Sequence, residues 1–240
     1  MSGRGRWTQL AGFSVGLTLA LSAPAQADER VYAVPVNQYS STVITIDQGE
    51  ALFFRNIDLQ RHDLVAKDQA GGKPLFGTPL LGSGEEAIVQ GAQQLRGGNY
   101  AFFCTVHPFM TGTLTVTGSG SPAPPPPSGD TTAPKVGVRV LDSSVSKVRK
   151  NGKLRVELTV DEPGNTQAAA TMRSGKKTVT IARGSRGFPR AGRATVSMAL
   201  TKAGRSALRG RSSAAVSVLA HAQDAAGNDG HGTGKRTLKR

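Results

Sequence analysis

The chain has 240 residues, with 30 lysines and arginines against 16 aspartates and glutamates and a formal net charge of +14. That length suits one large or two small domains, each able to bury its own core, and 38 % hydrophobic residues exclude a chain disordered throughout. The charge excess invites a nucleic-acid or membrane-surface role, but its distribution argues against one for the whole chain: residues 1–27 carry +2, residues 28–118 carry −3, and residues 119–240 carry +15.

Residues 1–27 read as a secretory leader. Arg4 and Arg6 make the positive start, Leu10 to Leu21 is an apolar run too short to span a bilayer comfortably, and Ala25-Gln26-Ala27 is a cleavage signal. The mature protein is then expected to start near Asp28, with no transmembrane segment, in a periplasm, at a cell envelope or outside the cell. From 28 to 118 the chain shows short apolar runs: Val31 to Val36, Thr42 to Ile46, Ala51 to Arg55, Ala87 to Val89, Tyr100 to Cys104 and Thr113 to Thr117. Turn residues such as Asp47-Gln48-Gly49 and Arg96-Gly97-Gly98-Asn99 separate them, the pattern of a sandwich or barrel. Leu64 to Gly84 is the least regular stretch and reads as loops.

Residues 119–134, with Gly-Ser repeats and Pro124 to Pro127, form a linker with a stiff polyproline centre. Residues 135–240 alternate apolar and polar residues again, as in Val136-x-Val138-x-Val140 and Leu154-x-Val156-x-Leu158-x-Val160. Similar alternation covers Val179 to Ile181, Val196 to Leu200 and Ala214 to Val218. Period two predicts half-buried strands, so this part reads as a second, basic β domain. Lys202 to Leu208 reads as one short helical turn, and the basic tail Gly230 to Arg240 as a mobile end.

Cys104 is the single cysteine, so it makes no disulfide within the chain. It is either a small buried hydrophobe or a metal ligand, and its neighbours decide. Cys104-Thr105-Val106-His107-Pro108-Phe109-Met110 places a thiolate, an imidazole and a thioether within seven residues at the end of a strand. Two histidines and a cysteine in a plane, with a distant methionine, make an electron-transfer copper site. Of the other three histidines, His221 and His231 lie beyond the linker and read as surface residues. His62 follows the run Phe53 to Asp58 and is the natural partner. The expected ligand set is His62, Cys104, His107 and Met110, with Met110 the most variable position.

Cys-x2-His-x2-Met after an apolar strand, with Asn56-x-Asp58-x3-His62 upstream, resembles the plastocyanin and amicyanin branch of the cupredoxins over residues 31–118. The resemblance implies a Greek-key β-sandwich, one type 1 (blue) copper ion, and single-electron transfer by Cu(I)/Cu(II) cycling with redox partner proteins. It also implies that His107 is the electron port, with Pro108 and Phe109 part of an apolar docking patch. One position departs from the pattern: many relatives carry Asn after the first histidine, where this chain has Asp63. In the family that side chain ties the two ligand segments together and its backbone N–H bonds the cysteine sulfur, so Asp63 is expected to accept a hydrogen bond from Thr105. Asp224-Ala225-Ala226-Gly227-Asn228 and Thr131-Thr132-Ala133-Pro134 make residues 131–240 similar to bacterial immunoglobulin-like or fibronectin-like modules.

The sequence therefore predicts an all-β, exported electron carrier with no catalytic residues. The alternative is an envelope copper-binding, adhesion or structural protein without a redox partner. Storage is disfavoured by the single cysteine and four methionines, and a multicopper enzyme by the lack of spare histidines. The basic second half suggests anionic cell-envelope polymers or an acidic redox partner. Nucleic acid is disfavoured by export and by the scarcity of aromatic stacking residues.

Overall fold

The computed structural model describes residues 29–126 and 129–240; the leader expected over residues 1–27 falls outside them. In chain order the first half contains β1 (Glu29–Val34), β2 (Gln38–Tyr39), β3 (Val43–Gln48), β4 (Leu52–Asn56) and β5 (Val65–Ala66). It continues with β6 (Gln69–Ala70), β7 (Lys73–Pro74), β8 (Glu86–Ile88), β9 (Gly98–Phe103) and β10 (Thr111–Gly120). These make two four-stranded sheets, ordered β2-β1-β4-β8 and β3-β10-β9-β5, with β6 and β7 as a separate ribbon. The pairs β1–β4 and β3–β10 are parallel, so partners in space are not neighbours in sequence, as in a Greek-key sandwich.

Alternation drives the packing. In β3, Ile44 and Ile46 point inward while Val43 and Thr45 face out. Together with Phe102 and Leu114 of the same sheet they meet Val31 and Phe54 of the facing sheet in one core. Burial of each such side chain is worth about 1.5–3 kcal/mol, which holds the two sheets together. The stretch expected to be loops, 64–84, carries only strands of two residues.

The second half contains β11 (Val136–Val140), α1 (Val145–Asn151), β12 (Lys153–Val160), β13 (Gly164–Ser174), β14 (Lys177–Phe188) and β15 (Gly192–Leu200). It ends with α2 (Lys202–Leu208), β16 (Ser213–Asp224) and β17 (Asp229–Lys239). Seven strands form one sheet ordered β11-β12-β15-β14-β13-β16-β17. The sheet curls until β11 lies against β17, around Leu154, Leu158, Ile181, Met198 and Val218.

Two segments differ from the sequence reading. The tail expected to be mobile is β17, paired with β16 from Asp229 to Lys239. Its inward positions Gly230, Gly232 and Gly234 are glycines because the backbone of 134–138 crosses directly over them: a Cβ at Gly230 or Gly232 would lie 1.8 or 2.1 Å from the carbonyl oxygen of Pro134 or Val136. Helix α1 was not expected, although its signals are present. Ser144 caps its first turn by accepting from the Lys147 amide, and Gly152 closes it in the left-handed conformation.

The halves meet along β8, an edge strand of its sheet. A bare edge exposes amides and carbonyls that need partners. Here two side chains supply them. Ser185 Oγ accepts from the Glu86 amide at 2.6 Å and donates to the Glu86 carbonyl at 2.7 Å. Asn165 accepts from the Ile88 amide at 2.7 Å and donates to the Ile88 carbonyl at 2.9 Å. Arg30 and Arg186 both pair with the buried Glu86 carboxylate beside them. Gly187 is required at this junction, since a Cβ there would sit 2.2 Å from the Ile88 nitrogen.

Candidate metal centre

The structure brings His62, Cys104 and His107 together at one end of the first sandwich. His62 follows β4 and is held by two backbone hydrogen bonds with Leu81, at 3.1 and 2.8 Å. Its side chain is fully buried. Cys104 directly follows β9 and is fully buried too. The loop after it is closed by its own backbone: the Met110 amide donates to the His107 carbonyl at 2.8 Å, and the Cys104 amide to the Met110 carbonyl at 3.0 Å. Met110 is buried at the base of this loop and packs in the sandwich core. One ligand atom each of His62, Cys104 and His107 lies within 4.8 Å of the others.

The ring nitrogens are sorted by their partners. His62 Nε2 lies 3.0 Å from the Asp58 carboxylate, and His107 Nε2 lies 3.2 Å from the Gln60 side-chain oxygen. Both partners are acceptors in this arrangement, so each Nε2 carries the proton and each Nδ1 keeps its lone pair. Those two Nδ1 atoms are 3.8 and 3.7 Å from Cys104 Sγ. A first-row metal with bonds of about 2.3 Å to sulfur and about 2.05 Å to nitrogen, at about 120°, sets S and N about 3.8 Å apart. Both S–N separations therefore match those of a trigonal metal ion, and soft sulfur with imidazole suits copper.

Electrostatics at the site favour a bound cation. Burial pushes the Cys104 thiol up, opposed by hydrogen bonds from the backbones of Asp63, Val106 and His107. Those N–H groups stand ready for a thiolate, which a metal ion stabilises outright. The hydrogen bond from His62 holds the Asp58 carboxyl below its usual range, with burial opposing.

Asp63 accepts from both the Thr105 amide, at 2.7 Å, and the Thr105 hydroxyl, at 2.5 Å. This is the tie between ligand segments expected of that position. Tyr39, which no sequence motif singles out, donates to the Asp63 carbonyl at 2.8 Å and packs edge-on against Phe102. Burial, with Cys104 and Asp63 nearby, raises its hydroxyl far above the usual phenol range. No sequence pattern marks Gln60 either, and Asp58 shows only as part of the Asn56-x-Asp58-x3-His62 motif. Around His107 the surface is apolar: Phe109 is 71 % exposed and stacks edge-on with the imidazole, Val106 is 48 % exposed, and Leu59, next to Gln60, is 90 % exposed.

His221 and His231 are not part of this centre. They face each other across β16 and β17 on the exposed side of the second sheet, with ring centroids 6.1 Å apart. A second group, Asp130, Glu162 and Asp224, gathers three carboxylates within 4.8 Å at the junction end of that sheet. Asp224 is taken up by the Gly227 and Asn228 amides and the Asn228 side chain. Desolvation first, then the neighbouring carboxylates, raise the Glu162 carboxyl.

Residues 35–117 match the family of copper binding proteins that comprises plastocyanin and azurin. Amicyanin from Paracoccus versutus is 26 % identical over 95 residues, covering 40 % of this chain and 70 % of that protein. Among solved structures, a purple cupredoxin from Nitrosopumilus maritimus is 24 % identical, covering 38 % of this chain and all of the other, with a TM-score of 0.31. A copper-containing nitrite reductase from Thermus scotoductus SA-01 is 29 % identical over 42 % of this chain, with a TM-score of 0.33, and the match spans only 24 % of that enzyme. Residues 35–117 are a cupredoxin domain, and its cofactor is copper.

Proposed function

We propose that this chain is an exported one-electron carrier in which His62, Cys104, His107 and Met110 hold a single type 1 copper ion. The observation that carries the reading is the pair of Nδ1 lone pairs held 3.8 and 3.7 Å from Cys104 Sγ, each by a hydrogen bond on the far side of its ring. Copper bound there supplies one-electron chemistry between Cu(I) and Cu(II). The protein's part is to keep the donors fixed, so that neither oxidation state demands a rearrangement. Asp58 orients His62, Gln60 orients His107, and Asp63 locks the Cys104 loop to the His62 segment. Burial of Cys104 keeps water and oxidants from the sulfur.

The exposed apolar rim of Leu59, Val106 and Phe109 favours a carrier over a copper-holding protein without a partner. Such a rim offers a redox protein a surface to seat on, within reach of His107. We read the chain as a carrier and not as an enzyme, because its only further histidines, His221 and His231, lie on the second sheet. The organisation that goes with this reading is a leader at 1–27, a copper domain at 28–118, a linker at 119–134 and a basic β domain at 135–240. Among the described residues no helix is long and apolar enough to cross a membrane. The test is a redox titration of the copper-loaded full chain. Reversible uptake of one electron per chain, with copper retained, supports the carrier; loss of copper on reduction, or no reversible wave, contradicts it.

A further inference from the structure

The charge of the second half is sorted by the strand topology. One end of the seven-stranded sheet holds the start of β12, the β13–β14 turn, the end of β15, the start of β16 and the end of β17, together with both helices. These pieces touch: a Cβ at Gly152, which caps α1, would meet the Arg205 guanidinium of α2 at 3.1 Å. Arg211 lies 3.4 Å from Ser174 beside the β13–β14 turn, and the Lys239 amide donates to Ser143 just before α1.

Thirteen of the 22 basic residues in 119–240 lie at this end, and all are exposed. Helix α1 contributes Lys147, Arg149 and Lys150, and the β13–β14 turn contributes Arg173, Lys176 and Lys177. Helix α2 and the loop after it add Lys202, Arg205, Arg209 and Arg211. Lys153 and the chain end, Lys239 and Arg240, complete the set. No ion pair engages any of the thirteen among the described residues. The single acidic residue at this end, Asp142, is bound by Arg155. The opposite end holds Asp130, Asp161, Glu162, Asp224 and Asp229, and it is the end docked on β8. Among the described residues, none of the hydrogen bonds between the halves involves the segments 57–63 or 104–110.

We propose that this basic pole is a docking surface for a flexible linear polymer of repeating phosphate groups, which anchors the protein by the end remote from the junction with the cupredoxin domain. Charge complementarity identifies the occupant. Uncompensated cations at this density repel one another, and a polyanion relieves the repulsion while releasing its own counterions. The cations come from four separate stretches of chain, 147–153, 173–177, 202–211 and 239–240, rather than from one pocket, so a small anion touches few of them and a flexible chain reaches many. A membrane surface fits less well, because none of the exposed large hydrophobic residues lies at the pole to enter a bilayer. Base stacking fits less well again: Phe188, the only Phe, Tyr or Trp in 135–240, is buried at the other end. The inference is independent of the carrier reading, since it uses no residue of the metal centre.

The test is binding of the full chain to linear inorganic polyphosphate, at increasing salt. With about six cations engaged, affinity falls about 300-fold between about 50 and about 200 mM salt. Replacing Lys147, Arg149 and Lys150 by Glu, or Lys176, Lys177 and Arg209 by Gln, lowers affinity at least about tenfold. Replacing Lys67, Lys73 and Arg96 of the first half by Glu lowers it far less, and Cys104→Ser leaves it unchanged. Equal losses in pole and first-half variants, or tighter binding to phosphatidylglycerol vesicles or to duplex DNA than to polyphosphate, overturn the proposal.

Discussion

Asp63 is the position at which this chain departs from many cupredoxins, and its replacement by Asn is the most informative single change. Asn keeps an oxygen for the Thr105 amide, now 2.7 Å away, and its amide group can donate to the Thr105 hydroxyl, now 2.5 Å away. The tie between the ligand segments survives while one negative charge is removed. A carboxylate near the metal favours Cu(II) over Cu(I), so its loss raises the reduction potential. For charges about 8 Å apart at an effective dielectric of about 20, the interaction is about 2 kcal/mol. On a one-electron couple that corresponds to roughly 90 mV, an upper figure that salt reduces. Asp63→Ala separates charge from tethering: it also deletes both hydrogen bonds, each worth about 1.5–3 kcal/mol to a charged acceptor, and loosens the site. The assay is a redox titration of the copper-loaded proteins followed in the visible spectrum, with denaturant unfolding alongside. A potential in Asp63→Asn equal to or below that of the parent refutes the electrostatic reasoning. Equal stability of the Asn and Ala variants refutes the tether.

Two further perturbations test the rest of the fold. Gly187→Ala places a methyl group against the Ile88 nitrogen and costs about 1–3 kcal/mol of overpacking, read as earlier separation of the two halves in denaturant; an unchanged unfolding curve means the halves do not dock as described. The Glu162 carboxyl is raised in the folded state, so the folded protein binds that proton more tightly than the unfolded chain does. The stability it contributes is present in acid and is lost as pH rises through the raised value, which leaves a penalty at neutral pH. Glu162→Gln therefore stabilises the protein at pH 7, by less than about 1 kcal/mol because solvent screens the group, and the gain vanishes below about pH 4. A gain that persists undiminished in acid contradicts the stated cause.

What the sequence made legible was what is local along the chain. The Cys104 to Met110 loop carries three of the four candidate ligands within seven residues, and a chain with four histidines leaves few choices for the fourth. β1, β3, β4, β8, β9 and β10 of the first half were visible as short apolar runs between turn residues, and β11, β12, β15, β16 and part of β14 because apolar and polar residues alternate. β17 was hidden because glycines replace its inward side chains, where β11 crosses. β13 was hidden because its inward residues include Ala168 and Ala170, too small to announce a strand. The hydrogen bonds of Asp58 and Gln60 to the imidazoles, and of Asn165 and Ser185 to the edge of β8, depend on the folded approach of separate segments. No local pattern encodes them. The sorting of charge to the two ends of the second sheet is of the same kind, since its cations look scattered until the strands are placed in register.

The visible absorption spectrum of the full chain with one equivalent of Cu(II), recorded beside that of Cys104→Ser, tests the central claim most directly. The account predicts an intense blue thiolate-to-copper band in the parent and its complete loss in the variant. A colourless parent, or a band that survives in Cys104→Ser, contradicts the assignment of Cys104 and the two histidine Nδ1 atoms as the copper site.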